Sequence, residues 1–222
     1  EAVLPAEDLP DMAFSDENCD GLDGDREDAV FVSLAGNDGS SDCSLEEPCL
    51  TVGAALLKAA ALARHQVLVQ AGEYHEVLSL TGDLAGIGVY GGYNADWARG
   101  HHGEAAFTTT IVGAASEGAH GQPLVVRANG ADASFQNIAL RSAAATGRLE
   151  EIKGMSSYVV HSVGSALAFE AVTFGQGDGA SGAAGDDGED GASAGSPGAG
   201  GADAAHQAGT RFCPTLVQNG GA

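Results

Sequence analysis

An acidic segment near the start of the chain carries the clearest chemical pattern. Residues 16–27 read Asp-Glu-Asn-Cys-Asp-Gly-Leu-Asp-Gly-Asp-Arg-Glu and fit the calcium-loop pattern D-x-[DN]-x-[DN]-G-x5-E. Calcium takes six to eight oxygen ligands, and carboxylate, amide and backbone carbonyl oxygens on alternate loop residues supply them. The pattern therefore predicts a calcium site. Its predicted ligands are Asp16, Asn18, Asp20, the carbonyl of Leu22, and Glu27, which Asp23 or Asp25 could replace.

Two features separate this loop from an EF-hand. No helices are predicted on either side of it, and Cys19 lies inside it. It more closely resembles the shorter calcium loops of extracellular thrombospondin-like repeats. The alternative interpretation is an acidic, solvated leader held in place by a disulfide.

The cysteines indicate an oxidising compartment. The four cysteines, at positions 19, 43, 49 and 213, are an even number that fits two disulfides in one of three pairings. Cys43 and Cys49 bracket a short loop and are the favoured pair, which leaves Cys19 with Cys213. No CxxC motif occurs, so a zinc site is disfavoured.

The histidines are a weaker metal signal. His101 and His102 are adjacent, and His75 follows a Gly-x-Tyr sequence, but neither HExxH nor a companion carboxylate spacing accompanies them. We therefore predict that they are surface-loop residues.

Charge divides the chain into three parts. The 222 residues have a formal net charge of −22, which disfavours binding to nucleic acid or to an anionic membrane. No apolar run reaches the roughly 20 residues of a membrane-spanning helix. Residues 1–28 carry 11 acids and one base, and residues 29–174 are only modestly acidic. The predicted domains are an acidic leader (1–28), a repeat-built middle (29–174) and a glycine-rich segment with a final strand (175–222).

The middle part reads as short strands and one helix. Residues 51–64 have apolar side chains at helical spacing, with Thr51 as the N-cap. Short apolar runs without intervening helices exclude a doubly wound α/β fold. The predicted strands lie at 29–33, 67–69, 77–80, 87–90, 109–112, 124–126, 135–140, 158–160 and 167–174.

Two all-β architectures remain, a β-sandwich and a parallel β-helix. Val67, Val89 and Ile111 follow one another at intervals of 22 residues, as expected for stacked coils. Residues 133–140 and 167–174 are alike, and Asn137 marks a corner because asparagine tolerates a left-handed backbone. The spacing favours a parallel β-helix, with the helix capping its first end.

The chain resembles secreted, right-handed parallel β-helix proteins of the pectate-lyase-like, myxobacterial type. The resemblance covers roughly residues 16–175 and implies fold far more than function. It is carried by Pro48-x-x-Thr51-Val52, residues 67–77 (Val-Leu-Val-Gln-Ala-Gly-Glu-Tyr-His-Glu-Val), Tyr90-Gly-Gly-Tyr93 with Trp97 and Arg99, and Asn18-Cys-Asp-Gly-Leu-Asp-Gly24.

Glycine recurs at every third position from Gly179 to Gly191 and again from Gly195 to Gly201. Such spacing suits extended helices of three residues per turn that pack on their glycine side. A flexible linker is the alternative.

The sequence shows no catalytic constellation, and Tyr93 with Trp97 is its one visible aromatic cluster for carbohydrate stacking. We therefore predict a non-enzymatic, secreted or cell-surface structural or surface-interaction module. Its expected partners are further copies of itself, in an oligomer or filament, or extracellular carbohydrate. The alternative is a β-helix protein that binds or cleaves polysaccharide, as a lyase or a glycosidase.

Overall fold

The computed structural model describes residues 8–114 and 122–185. The chain divides into two units, Glu1–Ala183 and Ala184–Ala222, and almost all of the second lies outside the described residues. The described part of the first unit consists mostly of strands in parallel sheets, with one α-helix.

The secondary structure consists of short elements joined by turns. The α-helix is α1 (Val52–Leu62), and two short 3₁₀ turns lie at Gly82–Leu84 and Ala105–Phe107. The strands are β1 (Ala29–Val32), β2 (Gln66–Gln70), β3 (Gly72–His75), β4 (Leu78–Thr81), β5 (Ile87–Tyr93), β6 (Thr109–Val112), β7 (Val126–Asn129), β8 (Ala133–Gln136), β9 (Ala139–Arg141), β10 (Arg148–Leu149), β11 (Lys153–Gly154), β12 (Val160–Val163), β13 (Leu167–Glu170) and β14 (Thr173–Gly175).

The strands of the described residues form three parallel sheets and one antiparallel pair. The first sheet has the order β1-β2-β5-β8-β13, the second β14-β9-β6-β3 and the third β12-β7-β4, while β10 pairs with β11. From β2 onward the chain enters the first, second and third sheets in turn and then returns to the first. The antiparallel pair is an insertion between β9 and β12.

The pairing register confirms one of the two predicted intervals and corrects the other. Val67 lies opposite Val89, as predicted. Val89, however, lies opposite Phe135, and Ile111 is in the second sheet opposite Tyr74. The second interval of 22 residues was therefore wrong. Short apolar strands look alike in every sheet, so their spacing cannot tell which sheet a strand joins.

The similarity of residues 133–140 and 167–174 is confirmed as strand pairing. Ala133 pairs with Leu167 and Ala139 with Thr173, so each residue pairs with the one 34 positions later. Asn137 has a φ of 57°, as predicted for the corner, and Ala171 has a φ of 50° at the equivalent position.

Alternate strand residues point into a shared apolar core. The inward side chains of the first sheet meet those of the second and third sheets there, and they are buried except near the last strands, β12, β13 and β14. This core includes Val30, Val67, Val89, Phe135, Tyr74, Ile111, Leu140, Leu78, Leu80 and Val126.

Helix α1 packs against this core near the β1 edge. The Thr51 side chain accepts a hydrogen bond from the backbone N–H of Ala54, and Ala63 ends the helix in a left-handed conformation, close to the predicted bounds of 51–64. The helix contacts β1, β2, β4 and β5, and thus covers this end of the core. Its buried residues are Val52, Ala55, Leu56 and Ala59.

The Cys43–Cys49 disulfide is present and buried. The loop that it closes is anchored to β1, because Phe31 N donates to Cys43 O (2.8 Å) and Cys49 N donates to Phe31 O (2.9 Å). Cys19 is exposed and is not disulfide-bonded in the described residues. Its predicted partner, Cys213, lies outside them.

The described start of the glycine-rich segment is hydrogen-bonded to the β10–β11 hairpin. Ala180 N donates to Met155 O and Ala183 N to Ile152 O, both at 2.8 Å. A Cβ on Gly182 would lie 3.2 Å from that Ile152 oxygen, so glycine allows the close approach. The later glycines of the period and the predicted strand at 214–222 lie outside the described residues.

Candidate functional site

The acidic leader packs on the outer face of the first sheet. Leu22 is buried against Phe31, Leu68 and Tyr93. Phe31 and Leu68 occupy strand positions that alternate with the core residues, so they point to the opposite side of the sheet. The leader therefore covers an apolar surface that a lone sheet would expose to water.

Most of the predicted calcium ligands lie together in one compact loop. The Asp16 carboxylate accepts hydrogen bonds from the N–H groups of Asp20 and of the following glycine, at 3.0 and 2.9 Å. Asn18 Oδ1 accepts from Asp20 N at 2.9 Å. Asp20 in turn accepts from Leu22 N and Arg26 N. These oxygens retain lone pairs for a cation, although no group of three or more acidic, histidine or cysteine side chains converges on a metal position within the described residues.

The three remaining acids of the pattern differ in their surroundings. Glu27 is exposed, and Asp25 Oδ1 accepts from Glu27 N at 2.9 Å. Asp23 is buried, and its Oδ2 accepts a hydrogen bond from Arg99 at 2.9 Å. Burial raises the pKa of Asp23, and the nearby Arg99 opposes that effect. The structure thus places Asp23 in an ion pair with the sheet, away from the loop oxygens.

Arg99 is the centre of the contact between the leader and the sheet. Its guanidinium donates to the carbonyls of Gly91 and Asp11, both at 3.0 Å, and to Gln136 Oε1 at 2.6 Å. Its side chain is fully buried. The rings around the guanidinium are those of Phe14, Tyr90 and Tyr93, with centroids 5.3–5.8 Å away.

Gln66 provides a second polar anchor that sequence analysis missed. Its Nε2 donates to Asp8 O at 2.9 Å, and its Oε1 accepts from Asp25 N at 3.0 Å. Asp8 is itself buried, and its Oδ1 has no hydrogen-bond partner among the residues that the structure describes. The available signal for this anchor was a glutamine at the start of an apolar strand. Burying a polar side chain is unfavourable unless it is hydrogen-bonded, so a buried glutamine indicates a polar partner.

The predicted aromatic cluster is present but is not an open stacking surface. The Tyr93 and Trp97 rings lie 6.0 Å apart, and Trp97 meets Phe31 edge to face at 4.9 Å. Tyr93 is buried, and its hydroxyl donates to the carbonyl of Asp23. Burial also raises the pKa of Tyr93. The leader therefore contacts Tyr93, one of the two aromatic residues predicted for carbohydrate stacking, and Trp97 packs against the same apolar cluster.

The histidines lie in different environments. His75 belongs to β3 rather than to a loop, and its Nε2 lies 2.9 Å from Glu73 Oε1 on the surface. His101 contacts Phe14 edge to face. His102 is half-buried and burial lowers its pKa, while its backbone N–H donates to Asn137 Oδ1.

None of the helices in residues 8–114 and 122–185 is long and apolar enough to span a membrane. Comparison of the chain with protein-family models, with curated proteins and with solved structures gave no significant match.

Proposed function

We propose that this chain is a non-enzymatic extracellular module with a structural or surface-interaction role, built as a right-handed parallel β-helix. The observation that carries the fold is the rotation of the chain through three parallel sheets. The same offset of 34 residues relates the last paired strands in all three of them. Parallel crossover connections are right-handed in nearly all proteins.

The buried polar groups support a structural role. Arg99 and Gln66 hold the leader, and the Glu76 carboxylate accepts from the N–H groups of Val52 and Gly53 at the start of α1, both at 2.8 Å. Each of these groups serves a contact within the chain. The buried disulfide supports an extracellular location, because disulfides persist mainly in oxidising compartments.

The last strands offer a surface for self-association. Among the described residues, each of β12, β13 and β14 is hydrogen-bonded to one neighbouring strand only, and such strand edges pair readily with other chains. Val163 is 55% exposed, Phe174 is 51% exposed and Phe169 is 37% exposed. Residues 158–176 contain a single acid, Glu170, in a chain of net charge −22. Two copies can therefore meet at this edge with little charge repulsion.

The other end of the core is covered by α1, so we propose that like ends associate. Two copies related by a two-fold axis would then form a closed dimer, whereas a filament requires two different complementary ends. The filament remains the alternative outcome.

Sedimentation velocity over a wide protein concentration range tests self-association. We expect a dimer for the wild type and a monomer for the double variant Val163→Lys, Phe174→Lys. Leu57→Lys is the matched control, because Leu57 is 66% exposed on α1 at the other end. A wild type that is monomeric throughout would contradict the proposal. If the wild type forms species larger than a dimer, and Leu57→Lys prevents their formation, the filament would be established instead.

We also propose that calcium binds the loop formed by residues 16–27. Asp16 and Asn18 both accept a hydrogen bond from the N–H of Asp20, so their side-chain oxygens lie on one turn, which supports this proposal. Thermal unfolding should shift upward in calcium chloride relative to magnesium chloride at equal ionic strength, and Asp20→Asn should reduce the shift. Asp28→Asn, outside the loop in an exposed contact with His65, should retain it. Equal unfolding temperatures in calcium, magnesium and chelator would exclude a specific site.

Polysaccharide binding or cleavage is the second candidate, favoured by the aromatic residues and Arg99 beneath the leader. A panel of neutral and acidic polysaccharides, tested with calcium, should then show binding or release of reducing or unsaturated ends. A panel that shows neither would remove this candidate.

A further inference from the structure

We propose that residues 8–28 form a strap, which opens and closes as a unit over the outer face of the first sheet. The Asp23–Arg99 ion pair acts as its latch. This goes beyond the proposed function, since it holds whether or not copies of the chain associate.

The strap is attached to the sheet by a small set of contacts. The buried Leu22 and the ring of Phe14 supply the apolar part. The buried polar part comes from three side chains on or next to the sheet, namely Gln66, Tyr93 and Arg99. Asp28 adds an exposed contact with His65. Segments held by few buried contacts open locally more readily than the core strands.

The latch is the contact whose loss matters most. The Arg99 and Asp23 side chains are 0% and 4% exposed. Removing one partner of such a pair leaves a buried charge without compensation, which is strongly destabilising. When the strap opens, neither charge is left buried and unpaired. Asp23 moves into water, and Arg99 keeps its hydrogen bonds to the Gly91 carbonyl and to Gln136.

Two further features oppose closure. Asp8 Oδ1 is buried and has no hydrogen-bond partner within residues 8–114 and 122–185. Residues 1–28 also carry 11 acids and one base, which repel one another. These features lower the free energy needed to open the strap.

Opening changes the chemistry of the sheet surface. The closed surface is acidic, whereas the face beneath it presents the rings of Phe31 and Tyr93, against which Trp97 packs, and the guanidinium of Arg99. The strap thus switches the first sheet between an acidic surface and an aromatic, cationic one.

Limited trypsin digestion of the full chain tests the latch. Arg26 is exposed and is the single base in residues 1–28, so one cut there reports strap opening. Intact-mass analysis should show at least tenfold faster cleavage at Arg26 in Asp23→Asn than in the wild type. Asp28→Asn, the same substitution in the exposed pair with His65, should stay within twofold.

Cleavage at Lys58 and Arg64, at α1, is the internal control and should not accelerate in Asp23→Asn. Equal acceleration at all three sites would mean global unfolding and would overturn the proposal. An unchanged rate at Arg26 would also overturn it. Emission from Trp97, the single tryptophan, should shift to longer wavelength in Asp23→Asn as its surroundings become wetter.

Wild-type hydrogen exchange provides a test that does not depend on a variant folding. Strap amides such as Glu17 N and Asp25 N, both hydrogen-bonded in the closed form, should exchange together and much faster than amides of β2 and β5. Exchange of the strap at the rate of the sheet would refute independent opening. Sedimentation is unaffected by these outcomes, so failure of the strap and of self-association are distinguishable.

Discussion

At the scale of single residues, Asn137 shows how one side chain holds several turns together. It is buried, it accepts from His102 N at 2.8 Å, and it donates to the carbonyls of Gly91 and Gly100. Its left-handed backbone also suits asparagine better than most residues. One residue thus binds three backbone groups at this corner, of which the Gly91 carbonyl also accepts from Arg99.

We expect Asn137→Ala to lower the free energy of unfolding by about 3 kcal/mol, because buried backbone groups lose their partners. Chemical denaturation measures this. Ala171 has the same left-handed conformation 34 positions later but is exposed. Ala171→Gly should therefore raise the free energy of unfolding by about 1 kcal/mol. A loss of stability in Ala171→Gly would contradict the assigned backbone.

The carboxyl of Glu76 should make the free energy of unfolding depend on pH. Burial raises the pKa of its carboxyl above the usual 4.5, although the N–H groups of Gly53 and Val52 oppose this. As pH rises, the unfolded chain therefore ionises first. The stability contributed by Glu76 is complete below pH 4.5 and declines as pH rises through the folded-state pKa.

Denaturation of the wild type and of Glu76→Gln between pH 4 and 7 tests this sign. The free energy of unfolding of the wild type, relative to the variant, should decline as pH rises. A flat or rising difference would show that the two hydrogen bonds outweigh burial.

At the scale of elements, α1 shows how one face of a helix closes a sheet structure. Leu56 is 1% exposed and Leu57, its neighbour, is 66% exposed. Leu56→Ala should therefore lower the free energy of unfolding by about 2–5 kcal/mol, through lost burial and the cavity left behind. Leu57→Ala should change it by less than about 0.5 kcal/mol. Similar losses from both would mean that α1 does not pack as described.

At the scale of the whole molecule, the net charge of −22 governs the response to salt. Sodium chloride screens repulsion among exposed acids. Calorimetry should therefore show a higher midpoint at high than at low salt, by roughly 2–4 °C for each kcal/mol gained. Asp23→Asn should keep the same salt slope, because its buried pair is little screened. A midpoint that falls with salt would contradict this.

Local patterns in the sequence predicted many elements correctly. Helix α1, its Thr51 cap, the Cys43–Cys49 pair and the paired segments 133–140 and 167–174 all agree with the structure. The strand β3 was missed because Gly72 and His75 interrupt its apolar pattern. The ligand roles assigned to Asp16, Asn18, Asp20, Leu22, Asp23 and Glu27 stay predictions.

The sequence by itself determined the net charge of this protein, its helix α1 with the Thr51 cap, and the Cys43–Cys49 pair. Periodicity, capping and cysteine spacing act over a few residues, so they can be read along the chain. Only the tertiary structure decided which sheet Ile111 joins and which acid meets Arg99, 76 positions after Asp23. Such contacts depend on chain closure over long separations, and no local pattern encodes them. The sequence therefore predicts the acidic leader as a loop, and the tertiary structure shows that it packs on the first sheet.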